Sequence, residues 1–128
     1  MSTVELSREN FVETVSGPGI VFVDFWAEWC GPCRRFAPVF EAASQAHADV
    51  VFAKVDTDAH RDLAGGLGIA SIPTLMAFRE GYLVFREAGA LSRPQLDEVI
   101  TAVKSLDMEK LKSEASVSAE TSEDASVR

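Results

Sequence analysis

The stretch Asp24-Phe25-Trp26-Ala27-Glu28-Trp29-Cys30-Gly31-Pro32-Cys33 decides the reading of this chain. It opens inside the apolar run Ile20 to Phe25, so it begins as a buried strand. It ends in two cysteines three residues apart, where a helical pattern starts. A dithiol on a strand-to-helix turn within a βαβ pattern is a redox signature.

Working outward, Ile20 to Ala27 is almost continuously apolar and rich in aromatic and β-branched residues, which predicts a strand covered on both faces. From Pro32 to His47 the pattern is helical, with Phe36, Phe40 and Ala43 recurring at three and four residues. Pro32 suits the first turn, where a missing N–H costs nothing, whereas Pro38 is expected to kink the helix. Upstream, Thr3 to Leu6 reads as an edge strand, and Ser7 as the N-cap of a helix to about Val15 with Leu6 and Phe11 as a staple. Ser16-Gly17-Pro18-Gly19 ends that helix.

Downstream, Val50 to Asp56 predicts a second buried strand, and Asp58 a cap for a short helix through Leu63 that Gly65, Gly66 and Gly68 weaken and end. Thr74 to Arg79 and Tyr82 to Glu87 flank Glu80-Gly81 as a β-hairpin. Ser92 and Gln95 form a capping box for a last helix striped by Leu96, Val99, Ile100 and Val103 and running to about Lys112. The order β-α-β-α-β-α-β-β-α predicts an α/β fold of parallel strands joined by helices, closed by an antiparallel hairpin. Residues 1–106 read as the domain, and 107–128 as a helix extension with an acidic tail. Residues 113–128 are mostly Ser, Ala and Glu without an aromatic, a composition expected to stay disordered.

A chain of 128 residues suits one domain, and its 47% apolar content supports a packed core. The net charge of −8 is spread over both parts: residues 1–106 carry 14 acids and 9 bases, and the remainder 6 and 3. That balance speaks against nucleic acid or an anionic membrane as partner. Both cysteines lie in the motif, so no structural staple is built in. The start Met-Ser-Thr-Val-Glu-Leu lacks the basic and apolar segments of a signal peptide, and no run approaches a membrane span, so the expected compartment is the cytoplasm.

Asp24, Trp29 to Cys33, and Ile72-Pro73-Thr74 occur in an order that closely resembles the thioredoxin family, over roughly residues 3–106. The resemblance implies the thioredoxin fold, a central mixed sheet of about five strands flanked by four helices. It also implies a monomeric protein-disulfide reductase that acts on disulfide-containing proteins and is recharged by a flavin- and NADPH-dependent thioredoxin reductase. The chain carries no Gly-rich dinucleotide fingerprint, so NADPH is expected to act only through that partner and no cofactor is expected here.

The dithiol chemistry follows from position. The attacking species is a thiolate, and Cys30 precedes a helix, whose free N–H groups and dipole favour negative charge. Arg34 and Arg35 add positive potential. Cys30 is therefore the expected accessible nucleophile, forming a mixed disulfide with the client. Cys33, one turn deeper, is expected to attack Cys30, release the reduced product and leave a Cys30–Cys33 disulfide. Helical positions i and i+3 hold Cβ atoms roughly 5–6 Å apart, against about 3.5–4.5 Å in a disulfide, so the bridge is expected to tighten the turn. The family's reference protein, thioredoxin itself, has a potential of about −270 mV, above the roughly −300 mV of structural disulfides. That value is the reference protein's own. With it, the resemblance points to reduction of labile disulfides.

A carboxylate in a two-sided apolar strand is costly to ionise, so burial is expected to raise the pKa of Asp24. The resemblance assigns Asp24 as base for Cys33, through water, with Lys54 as its lysine partner; the alternative is a strand charge paired for structure. It also implies a cis bond before Pro73, in a loop that offers backbone groups to an extended client segment and keeps metal-binding side chains from the cysteines. Trp29, Gly31, Pro32, Ile72, Pro73, Gly89 and Ala90 are then expected to surround the thiol as an apolar client-binding patch. Asp58 is expected to hold the Trp29 indole, and Trp26 to pack beneath. The rival for C-x-x-C is half a zinc site, but nothing pairs His47 and His60, the two histidines, at finger spacing; no metal is expected. Two other functions stay open: a disulfide oxidase or isomerase, which needs an export signal, and a non-catalytic binding subunit.

Overall fold

The apolar run through Asp24 becomes the central strand of a five-stranded sheet. The computed structural model describes residues 2–115. Its elements are β1 (Val4–Glu5), α1 (Phe11–Val15), β2 (Ile20–Trp26), α2 (Gly31–Ala46), β3 (Val51–Asp56), α3 (Arg61–Gly66), β4 (Thr74–Arg79), β5 (Tyr82–Ala88) and α4 (Arg93–Lys104). A fifth helical segment, α5, spans residues 108–115. The strands lie in the order β1-β3-β2-β4-β5. β3 is parallel to β1 and β2, while β4 is antiparallel to β2 and to β5. The mixed α/β sheet expected from the element order is the one observed. The last part of the expected tail, residues 116–128, lies outside the described residues.

Alternation along β2 divides the core between the two faces of the sheet. Phe22 points with Phe36, Phe40, Phe52, Leu75, Leu96 and Ile100, under α2 and α4. Val21, Val23 and Phe25 point the other way, against Phe11, Val15 and Met76, under α1 and α3. Period two therefore places Asp24 and Trp26 on the Phe22 face, the face that α2 covers. Phe40 is fully buried and sits with its ring centroid 5.2 Å from Phe52 and 5.7 Å from Phe36, joining α2 to β3 beneath the motif.

Three local expectations need correction. Ser7 does not cap α1: its N–H donates to Asn10 Oδ1 at 2.7 Å and its hydroxyl at 3.3 Å, so a turn intervenes and the helix opens at Phe11. Leu6 and Phe11 still enter one cluster. Asp58 does not cap α3; His60 stands at the N-cap and gives no side-chain bond. α3 also runs through Gly65 and Gly66 and closes one turn later, where the Ile69 N–H reaches the Ala64 carbonyl and Arg86 donates to Leu67 and Gly68 carbonyls.

The third correction concerns α4, which stops at Lys104 and does not continue to Lys112. One Arg79 nitrogen donates to the carbonyls of Val103, Lys104 and Leu106 at 2.9–3.1 Å, oxygens that a continuing helix needs for itself. Asp107 then starts α5 afresh, its carboxylate accepting the Lys110 N–H at 3.1 Å. The capping box at Ser92 and Gln95 is present as expected.

The hairpin forms where it is expected. Arg79 pairs with Tyr82, leaving a two-residue turn in which Glu80 and Gly81 both have positive φ (53° and 84°), the type I′ geometry that matches strand twist and favours glycine. The strands are not evenly alternating, because the register shifts between Ala77 and Phe78. That bulge leaves Val84 opposite no partner and lets adjacent Val84 and Phe85 both pack against the α4 core.

Candidate active site

β2 delivers the chain to the dithiol. After Trp26 the strand turns through Ala27, whose carbonyl accepts the Cys30 N–H at 3.2 Å. Cys30 is the N-cap of α2, with extended backbone (φ −85°, ψ 114°), followed by Gly31 and Pro32 in the first turn. Its sulfur accepts the Cys33 backbone N–H at 3.2 Å. An N-cap acceptor normally is a Ser, Thr, Asp or Asn oxygen; here the electron-rich sulfur fills that role. The helix N-terminus carries no acidic residue in its first turn, so the positive end of the dipole is left to the sulfur.

Cys30 and Cys33 are joined as a disulfide, with Cα atoms 5.2 Å apart. The tightening expected from helical spacing does not apply, because Cys30 is at the cap and not inside the helix; 5.2 Å lies within the ordinary disulfide range. The expected difference in access is also small. Cys30 is 5% exposed and Cys33 2%, and Ala27, Trp26 and Ile72 pack around both.

The Ile72-Pro73 bond is cis, and the loop faces the dithiol: the Ile72 carbonyl oxygen lies 3.7 Å from the Cys30 sulfur. Thr74 pins the loop by donating its hydroxyl to the Ser71 carbonyl at 2.6 Å. Gly89 N–H donates to the Pro73 carbonyl at 2.8 Å with φ +110°, a conformation that a side chain would strain. The end of β5 is thereby tied to the loop opposite the sulfur. Pro32, Gly89 and Ala90 are exposed, Gly31 and Ile72 are half-buried, and Pro73 is buried.

Trp29 is 68% exposed, and its indole N–H donates to Asp58 at 2.9 Å. This bond explains why Asp58 is not free to cap α3. A surface hollow of about 200 Å³ opens beside Trp29, lined also by Thr57, Ile69, Ala70, Ser71 and Ile72. Sequence reasoning does not reach Thr57, Ile69, Ala70 or Ser71. The one signal for Ile69 to Ser71 is their place before Ile72-Pro73, and Thr57 carries none.

Asp24 is fully buried, and neither carboxyl oxygen meets a hydrogen-bond donor among the described residues. Desolvation pushes its pKa from 3.8 up to about 7; the Lys54 charge opposes the shift and Glu5 adds to it. Lys54 is its register partner on β3 but does not contact it as an ion pair. Instead the ammonium lies 4.8 Å from the centroid of the Trp26 ring, a cation–π position. Lys54→Met is therefore expected to move the Asp24 pKa above about 7, since the opposing charge is lost. A carboxyl-carbon NMR titration of the oxidised protein checks this, and an unmoved or lowered midpoint contradicts it.

Residues 2–102 match the family model for thioredoxin. The chain belongs to the thioredoxin family. It is similar to a candidate thioredoxin 2 of Streptomyces coelicolor, 52% identical over 111 residues, covering 87% of this chain and 83% of that one. A thioredoxin of Alicyclobacillus acidocaldarius is 42% identical over 103 residues, covering 80% and 98%. Among solved structures, a Plasmodium falciparum thioredoxin superposes with a TM-score of 0.72 at 35% identity, covering 78% of this chain and 98% of that one. A Malassezia sympodialis thioredoxin gives 0.71 at 36%, covering 80% and 91%.

As a member of the thioredoxin family with a redox-active cysteine pair, the protein is a thiol-disulfide oxidoreductase, a disulfide reductase of thioredoxin type. No group of three or more His, Cys, Asp or Glu is placed to hold a metal among the described residues. No helix among them is long and apolar enough to cross a membrane.

Proposed function

We propose that the protein reduces client disulfides in two exchanges, with Cys30 as nucleophile and Cys33 as resolving thiol. In the first, the Cys30 thiolate attacks one client sulfur, the client S–S bond breaks and the other client sulfur leaves as thiolate. In the second, the Cys33 thiolate attacks the Cys30 sulfur and expels the remaining client thiolate. Two electrons pass to the client, and the Cys30–Cys33 disulfide is left behind. The observation that carries this reading is the Cys30 sulfur at the N-cap of α2, accepting the Cys33 N–H and facing the Ile72 carbonyl.

Asp24 serves as the base that takes the Cys33 proton in the second exchange. Its raised pKa supports this role, because a group poised near neutrality both accepts and returns a proton at working pH. Lys54 and Trp26 tune that carboxylate. Trp29, Gly31, Pro32, Ile72, Gly89 and Ala90 form the client-facing surface, with Pro73 shaping its loop from beneath. A client segment lying extended there reaches the Ile72 carbonyl as a strand reaches a sheet edge. A flavin- and NADPH-dependent thioredoxin reductase returns the disulfide to dithiol, and the protein works as a cytoplasmic monomer. The test is reduction of insulin, coupled to NADPH through a thioredoxin reductase. NADPH consumption that depends on this protein is expected. Inactivity of the reduced protein contradicts the reading and favours a purely binding role, and net oxidation of a reduced client at cytosolic potential favours an oxidase.

A further inference from the structure

Arg34 and Arg35 break a local rule. They stand in the fourth and fifth positions of α2, whose first turn holds no acid. Cations near a helix N-terminus oppose its dipole. Neither arginine forms an ion pair among the described residues, although the whole chain carries a net charge of −8. Both are exposed, and both guanidiniums fold back toward the dithiol, as side chains on a helix do. One Arg34 nitrogen sits 3.5 Å from the Glu28 carbonyl, in the loop before Cys30. One Arg35 nitrogen lies 3.6 Å from where a Cβ on Gly31 would stand, directly over the residue after Cys30.

The other flank of the dithiol is different. There Trp29 is held by Asp58, and the Asp56 carboxylate accepts the N–H groups of Asp58 and Ala59. The dithiol thus lies between an acidic flank built on the loop after β3 and a basic flank built on α2. The exposed Glu28 carboxylate forms no ion pair with either arginine.

Resting on the reductase reading above, we propose that Arg34 and Arg35 determine client specificity. The guanidiniums of Arg34, at the Glu28 carbonyl, and of Arg35, over Gly31, form a cationic rim on the α2 side of the dithiol that favours disulfides with a carboxylate next to the reacting cysteine. Any effect of the arginines on Cys30 reactivity acts on every client alike, so it cancels when two clients are compared. What remains is attraction or repulsion at the rim, which acts on association and is screened by salt. A charge about 7 Å from a client carboxylate in water favours it roughly threefold, and two such charges roughly tenfold.

The test uses the full chain and three disulfide peptides of one length, with acidic, neutral or basic residues beside the cysteines. For the wild type, kcat/KM is expected to favour the acidic over the neutral peptide on the order of tenfold at low ionic strength, and to disfavour the basic peptide by a similar factor. The preference is expected mainly in KM and to fade toward parity at roughly 0.5 M salt, where the Debye length falls below about 5 Å. The double variant R34Q/R35Q is expected to lose it, R34K/R35K to keep it, and R34E/R35E to reverse it. Equal kcat/KM for all three peptides in the wild type, or a preference that survives R34Q/R35Q, overturns the inference while leaving the reductase reading intact. Failure of the wild type to reduce any of the three removes the reductase reading itself.

Discussion

Replacing Cys33 by serine is expected to reduce insulin turnover to the uncatalysed background and to leave the protein covalently attached to its client. Cys30 remains competent for the first exchange, but no second thiolate is available to break the mixed disulfide. Cys30→Ser is expected to give the same loss of turnover without the trapped adduct, since no attack occurs at all. Non-reducing electrophoresis separates the two: a client adduct with Cys33→Ser and none with Cys30→Ser. The opposite pattern assigns the attack to Cys33 and contradicts the roles drawn from the N-cap geometry. That geometry gives the direction. Cys30 is the capping residue and Cys33 already lies within the helix, its N–H pointed at the Cys30 sulfur.

Asp24→Asn is expected to change both stability and turnover. In the unfolded chain the Asp24 carboxyl loses its proton near 3.8, and in the folded protein near 7. Between those values the folded state holds a proton that the unfolded state has released, so stability falls as pH rises through the window. Below about pH 4 both states are protonated and the penalty is absent; above about pH 7 it is complete. A separation of about three pKa units corresponds to about 4 kcal/mol. The asparagine variant lacks this loss, so its stability relative to wild type is expected to climb by that order between about pH 4 and pH 8. Comparing the two proteins by urea unfolding across that range cancels the surface carboxylates. Glu9, Asp49, Glu80 and Asp97 have pKa values held low by hydrogen bonds and nearby cations, and they are common to both. Parallel profiles for wild type and variant contradict the buried, unpartnered carboxyl.

The same substitution is expected to slow client release on the order of a hundredfold, the lower end of what a positioned base contributes, with the mixed disulfide accumulating. The variant is then more stable at about pH 8 and less active. An isolated charge in a strand core is destabilising, a cost that the proposed base role would account for.

Much of this was legible in the residues because periodicity and composition agree along the core elements. The unbroken run at Ile20–Trp26 requires cover on both faces, and α2 and α4 on one side with α1 and α3 on the other provide it. The dithiol and the burial of Asp24 lay along the chain in readable order, whereas the Trp29–Asp58 bond came only with the family resemblance. What could not be read depends on partners distant in sequence. Arg79 ends α4 by reaching carbonyls 24 to 27 residues away, and no local propensity between Lys104 and Asp107 announces it, though Asp107 itself is an N-cap signal. Asp58 looked like a cap because caps are local, yet its partner Trp29 lies 29 residues earlier. The Val84 bulge depends on the register with Ala77 and Phe78, which only the folded pair defines. The shallow burial difference between the two cysteines likewise depends on Ile72, brought in from 42 residues away.

The most direct test of the central claim is a pH titration of the reduced protein by thiolate absorbance near 240 nm, repeated on Cys33→Ser. An N-cap sulfur with a backbone N–H donor and no competing acid in the first turn is expected to ionise at least about one unit below the 8.5 of a free cysteine, and to do so in the Cys33→Ser variant as well. A Cys30 midpoint at or above about 8.5 means that the helix start does not stabilise the thiolate, and the account of Cys30 as the activated nucleophile is wrong.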